Sequence, residues 1–136
     1  MALVVALVPS VVRAQVRHRR PLDPAPSINY GYDNRGGGGC TDYNCGTRCY
    51  DGHTGPDMPV GLGTPVLASA AGTVIAINNG CANYGSLGNT CGGRCGNYVQ
   101  LQHADGAGSL YCHLELNSVR GGRGAAVSCG QHLGNP

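Results

Sequence analysis

The 136-residue chain has the length of one domain, and its core must be built without Phe or Trp. Seven Tyr supply all the aromatic surface, and 24 Gly argue against long helices and for turns and close backbone approaches. A formal net charge of +2, falling to about +1 without the first 14 residues, argues against nucleic acid as the main partner.

The chain opens on an almost unbroken apolar run, residues 2–12, followed by Val12-Arg13-Ala14, which has the small-residue character of a cleavage site. Residues 1–14 are therefore expected to be a signal segment, and the protein to be secreted or periplasmic. The run is too short for a stable membrane span. Arg17, Arg19 and Arg20 read as a solvated cluster rather than a binding site.

Residues 15–39 hold Pro21, Pro24 and Pro26 and then four consecutive glycines, 36–39, so an extended or disordered linker is expected there. The folded domain is expected over residues 40–136. Residues 64–70 and 72–78 are short apolar runs separated by a turn. Residues 96–103 alternate, with Val99, Leu101 and His103 on one face. Asp105-Gly106 is a hairpin turn pair. Residues 109–114 alternate again, which places Leu110, Cys112 and Leu114 on one face and Ser109, Tyr111 and His113 on the other. Residues 125–129 form a last short strand. No window keeps a 3.6-residue apolar period, so the expected fold is a mostly-β, antiparallel, sandwich-like domain with little helix, stapled by disulfides and monomeric.

Eight cysteines fit a disulfide framework in an oxidising compartment. Cys45-Gly46-Thr47-Arg48-Cys49 and Cys91-Gly92-Gly93-Arg94-Cys95 form an internal echo. Their spacing also allows a structural zinc site. In a further reading, two Cys-rich loops staple onto different strands. The connectivity stays open. Cys112 and His113 are sequence neighbours on a strand, so their side chains diverge, and Cys112 reads as a disulfide partner rather than a nucleophile.

The chemistry concentrates in residues 50–57, where His53 and Asp57 stand four apart around a turn favoured by Gly55 and Pro56. Imidazole and carboxylate are two of the three protein ligands that a catalytic zinc needs. The spacing alone is weak, since about a quarter of one such match is expected by chance in this composition. Its context is specific. Gly52-His53-Thr54-Gly55-Pro56-Asp57, then Gly63-Thr64-Pro65-Val66 with Gly72-Thr73-Val74, resembles the start of a lysostaphin-type (M23) metallopeptidase domain. The resemblance continues through Gly96-Asn97-Tyr98-Val99, His103-Ala104-Asp105-Gly106, Tyr111-Cys112-His113-Leu114 and Gly130-Gln131-His132-Leu133-Gly134.

The resemblance implies a zinc endopeptidase acting on Gly- or D-amino-acid-containing peptides of bacterial peptidoglycan. His53 and Asp57 would be metal ligands and His113 would assist catalysis. The family's third ligand belongs to a His-x-His motif beyond the Gly-Gln-x-(Ile/Leu)-Gly strand, and this sequence holds no His-x-His. The chain as written is thus expected to be inactive or incomplete, with a non-catalytic cell-wall or protein-binding module as the alternative. His132 is the one nearby histidine that could substitute as a ligand. His103 reads as a structural hairpin residue.

Overall fold

The computed structural model describes residues 14–82 and 89–136. Nearly all of the expected signal segment therefore lies outside the described residues. Among these residues six strands form: β1 Val66–Leu67, β2 Gly72–Asn78, β3 Asn97–Gln102, β4 Gly108–Leu114, β5 Ala126–Val127 and β6 His132–Gly134. One 3₁₀ turn, Cys91–Arg94, precedes β3. The fold is mostly β, and every strand pairing is antiparallel.

A four-stranded sheet has the order β4-β3-β2-β5, and β1 pairs with β6 in a two-stranded sheet. The β3–β4 hairpin turns at Asp105-Gly106, where Asp105 Oδ1 accepts the Ala107 N–H at 2.9 Å and Gly106 takes φ 90°. Alternation along β3 buries Asn97, Val99 and Leu101 and carries on to His103. Val74, Tyr111, Leu114, Val127, Val66, Ala68 and Leu133 complete the core with them.

The expected faces of β4 are corrected by a bulge. Asn97 pairs with Leu114 and Val99 with Tyr111, so two steps on β3 oppose three on β4. The extra residue falls at Cys112-His113, and His113 adopts φ 59°. Strict alternation cannot continue through an inserted residue. Tyr111 and Leu114 consequently share the buried side, while Leu110 is 52% exposed.

Six of the eight cysteines pair, as Cys40–Cys49, Cys81–Cys91 and Cys95–Cys112. The echo is not a structural zinc site, and the two loops are not both stapled onto strands: Cys49 pairs with Cys40 outside the strands while Cys45 pairs with neither, and of the second pair Cys91 bonds Cys81 and only Cys95 reaches a strand, at Cys112 of β4. Cys112 is indeed a disulfide partner. Cys45 and Cys129 are free and exposed.

Residues 14–39 contain no helix or strand beyond a one-residue bridge between Tyr30 and Asp57, with bends at 21–24 and 36–39. They nonetheless lie on the domain. Arg19 N–H donates to Ser69 O at 2.8 Å and Leu67 N–H to Pro21 O at 2.7 Å. Leu22 belongs to the core, at 6% exposure. Prolines remove donors from a strand ladder but do not prevent an extended chain from burying its apolar side chains. Among the described residues, no helix is long and apolar enough to cross a membrane.

Candidate active site

His53 follows a turn in which its own N–H donates to Tyr50 O at 3.1 Å and Gly52 takes φ 75°. The Asp33 carboxylate accepts the Gly52 N–H at 3.0 Å and also the Arg35 and Thr41 N–H groups. These backbone donors favour the charged form and hold the Asp33 pKa below its ordinary value of 3.8. A side chain distant in sequence thereby shapes the turn that presents His53.

The imidazole is fixed at both nitrogens. His53 Nδ1 lies 2.7 Å from the Gly31 carbonyl oxygen, and Nε2 lies 3.2 Å from Asp57 Oδ1. The His53 side chain is 9% exposed and that of Asp57 45%, so the pair faces outward from a mostly buried ring. Tyr50 stacks on the imidazole with centroids 4.1 Å apart and planes 23° off parallel. Burial, and then the nearby Asp57 carboxylate, raise the Tyr50 pKa above its ordinary value. Its phenol is a neutral group beside the pair.

A carbonyl oxygen only accepts hydrogen bonds, so the proton of a neutral His53 ring sits on Nδ1. Nε2 then presents a lone pair to a carboxylate oxygen. Two acceptors facing each other need a proton or a cation between them. This is the donor chemistry of a zinc half-site, with the Gly31 carbonyl as the outer partner that orients the ring. The pair fits zinc in ligand type and outer support. Among the described residues no third His, Cys, Asp or Glu joins the two.

His53 and Asp57 line a cleft of about 520 Å³ together with Ser69, Ser109, Tyr111 and His113. The bulge of β4 is what turns the exposed His113 into this cleft. Such insertions re-aim side chains beside functional sites. Gly96 lies beside His113: an added Cβ there would be 3.8 Å from His113 Nδ1.

The other histidines go elsewhere. His103 is 3% exposed, with Nδ1 on Ala71 O at 2.8 Å and Nε2 on Ser109 Oγ at 2.9 Å. His132 bonds Asn135 Oδ1 at 2.6 Å and Gly134 O at 3.0 Å through Nε2, and it does not line the cleft. His18 contacts Ser69 Oγ at 3.0 Å, and its ring meets that of His103 edge-on at 4.7 Å.

The sequence reading missed Gly31 and Asp33, the supports of the His53 turn. It also missed Asn97 as a buried polar anchor. Asn97 is 1% exposed and accepts from Cys81 N while donating to Cys81 O and Leu114 O. Its place in the same alternation as Val99 and Leu101, two residues before Val99, was the available signal for it.

The structure is thus a small antiparallel β domain in which a His–Asp pair lines a cleft. The family model "Peptidase family M23" matches residues 51–135, and the chain belongs to this family. A crystal structure of a zinc containing peptidase from Vibrio cholerae superposes with a TM-score of 0.62 at 21% identity, over 89% of this chain and 32% of that one. A peptidase M23 from Pseudomonas aeruginosa superposes with a TM-score of 0.53 at 25% identity, over 91% of this chain and 39% of that one. The chain thus spans about a third of the length of these solved structures. No curated protein matches it.

Proposed function

We propose that this chain provides the sheet, the cleft and two metal ligands of an exported zinc endopeptidase that hydrolyses peptide bonds in bacterial peptidoglycan. The observation that carries the reading is the meeting of His53 Nε2 and Asp57 Oδ1 at 3.2 Å on a cleft that His113 also lines. A zinc ion held by the pair would supply Lewis acidity toward a scissile carbonyl and acidify water.

The chain's own residues supply the remaining work. Gly31 keeps the His53 proton on Nδ1. His113, which also lines the cleft, offers an imidazole to accept a proton, or to donate one to a developing oxyanion. Leu22, Met58, Val60 and Val66 give the cleft apolar walls that displace water from a bound peptide. Three disulfides support an oxidising compartment, secreted or periplasmic.

One observation favours a second reading. With two ligands and no third among the described residues, the same scaffold suits a non-catalytic module that binds cell-wall peptides or a protein through its cleft. Zinc content and hydrolysis of Gly-rich and D-amino-acid peptides, measured for this chain and for the chain fused to a His-x-His segment, separate the two. Gain of tight zinc and of hydrolysis in the fusion supports the enzyme. Peptide binding without zinc or hydrolysis in either form supports the module.

A further inference from the structure

We propose that residues 29–33, upstream of the family-matched region, are a working part of the metal half-site, with Gly31 as its positioning residue. The inference rests on the reading of His53 and Asp57 as metal ligands and extends it to residues outside the family match.

The strip grips both ligand residues by their backbones. Asn29 N–H donates to Asp57 O at 2.8 Å, and Asp57 N–H donates to Tyr30 O at 2.8 Å. Asp33 N–H donates to His53 O at 2.7 Å. Between these anchors, the Gly31 carbonyl accepts from His53 Nδ1 at 2.7 Å. One extended segment thus sets the position of both ligand residues and selects the nitrogen that faces the metal. The strip is itself pinned, since Gly31 N–H donates to Arg48 O at 2.9 Å.

Glycine at position 31 has a steric reason. A Cβ there would lie 2.8 and 2.9 Å from ring atoms of Tyr43 and 3.0 Å from Asp42 Cβ. Tyr43 is stacked on Tyr32 with centroids 5.9 Å apart. Asp42 is tied down by the N–H groups of Asn44, Gly46 and Arg48. Neither neighbour retreats without losing contacts, so a side chain at 31 moves the strip and its carbonyl.

The outer partner of a ligating histidine fixes the ring's tautomer, and its loss costs about 10–100-fold in metal affinity. The test uses the full chain with ¹⁵N-labelled histidine, free of metal, at about pH 8.5, well above the ordinary imidazole pKa of about 6.5. His53 is expected as the Nδ1–H tautomer. Gly31→Ala is expected to shift it toward Nε2–H and to weaken Zn²⁺ or Co²⁺ binding about 10–100-fold. Gly31→Ala combined with Tyr43→Ala, which removes the closest obstacle, is expected to recover part of both losses.

A wild-type His53 in the Nε2–H form overturns the proposal without any variant having to fold. So does Gly31→Ala binding zinc with wild-type affinity. Wild-type protein that shows the Nδ1–H form yet binds neither metal overturns the metal reading itself, and the proposal with it.

Discussion

Cys112 is bonded to Cys95, and the next residue, His113, donates its backbone N–H to the Cys95 carbonyl at 2.8 Å. One cysteine thus anchors both residues of the β4 bulge. His113 holds φ 59°, a conformation that a non-glycine residue keeps only where its surroundings enforce it. Replacing Cys95 and Cys112 together by Ala opens a link across 17 residues and is expected to destabilise the fold by about 3 kcal/mol. Urea unfolding of oxidised protein measures this. A midpoint equal to wild type would show that the bulge holds without the bond.

His53 and Asp57, the proposed zinc ligands, line the cleft and are not part of the hydrophobic core. Zinc at about 100 times its dissociation constant is expected to raise wild-type stability by about 2.7 kcal/mol. His53→Ala and Asp57→Ala are expected to abolish that gain while keeping a cooperative transition in the absence of metal. Thermal melts with and without zinc report it. Equal zinc-induced shifts in the wild type and both variants would place the metal elsewhere.

Periodicity revealed the β3 face because Val99, Leu101 and His103 alternate without interruption. It misplaced β4 because a bulge shifts parity by one residue, and nothing in Tyr111-Cys112-His113 announces the insertion. The His53–Asp57 pair was legible from its flanking motifs. Its support by Gly31 and Asp33 was not, because those contacts cross about 20 residues and both partners fall in residues 15–39, whose Pro and Gly content suggests a linker. Composition reports how few ladder hydrogen bonds such a segment makes, whereas Leu22 is held by packing and Gly31 and Asp33 by hydrogen bonds outside any ladder. The cysteine count gave the framework but not the pairing, which depends on which loops the sheet brings together.

Asp33 also sets an acid limit for the site. Backbone N–H groups of Gly52, Arg35 and Thr41 stabilise its carboxylate and depress its folded pKa below the ordinary 3.8. The depressed group contributes stability at pH above 3.8, and this is lost as pH falls through the lower folded value. Asp33→Asn is therefore expected to be less stable than wild type near neutrality, with the gap narrowing as the pH drops below 3.8. Melting curves of both proteins across that range test the sign. A gap that widens on acidification would show that the Asp33 contacts do not favour its charged form.

Asn97 is the most deeply buried polar side chain of the sheet, and both ends of its amide are used. Its Oδ1 accepts the Cys81 N–H at 2.8 Å, and its Nδ2 donates at 3.0 Å to Cys81 O and at 3.0 Å to Leu114 O. These bonds tie the Cys81 loop to the end of β4, one residue past His113. Asn97→Leu keeps the branched outline but leaves those backbone groups without partners, at about 1–3 kcal/mol for each buried group left unsatisfied. Asn97→Asp retains the acceptor but loses both donations, and it buries a charge unless the carboxyl takes up a proton. Both variants are expected to lose more stability than Leu62→Ala, a change at a residue 95% exposed that is expected to stay within about 0.5 kcal/mol of wild type. Denaturant titrations of the three variants rank them. An Asn97→Leu protein as stable as wild type would mean that the Cys81 loop and the end of β4 find other partners, and that the amide does not hold the two together.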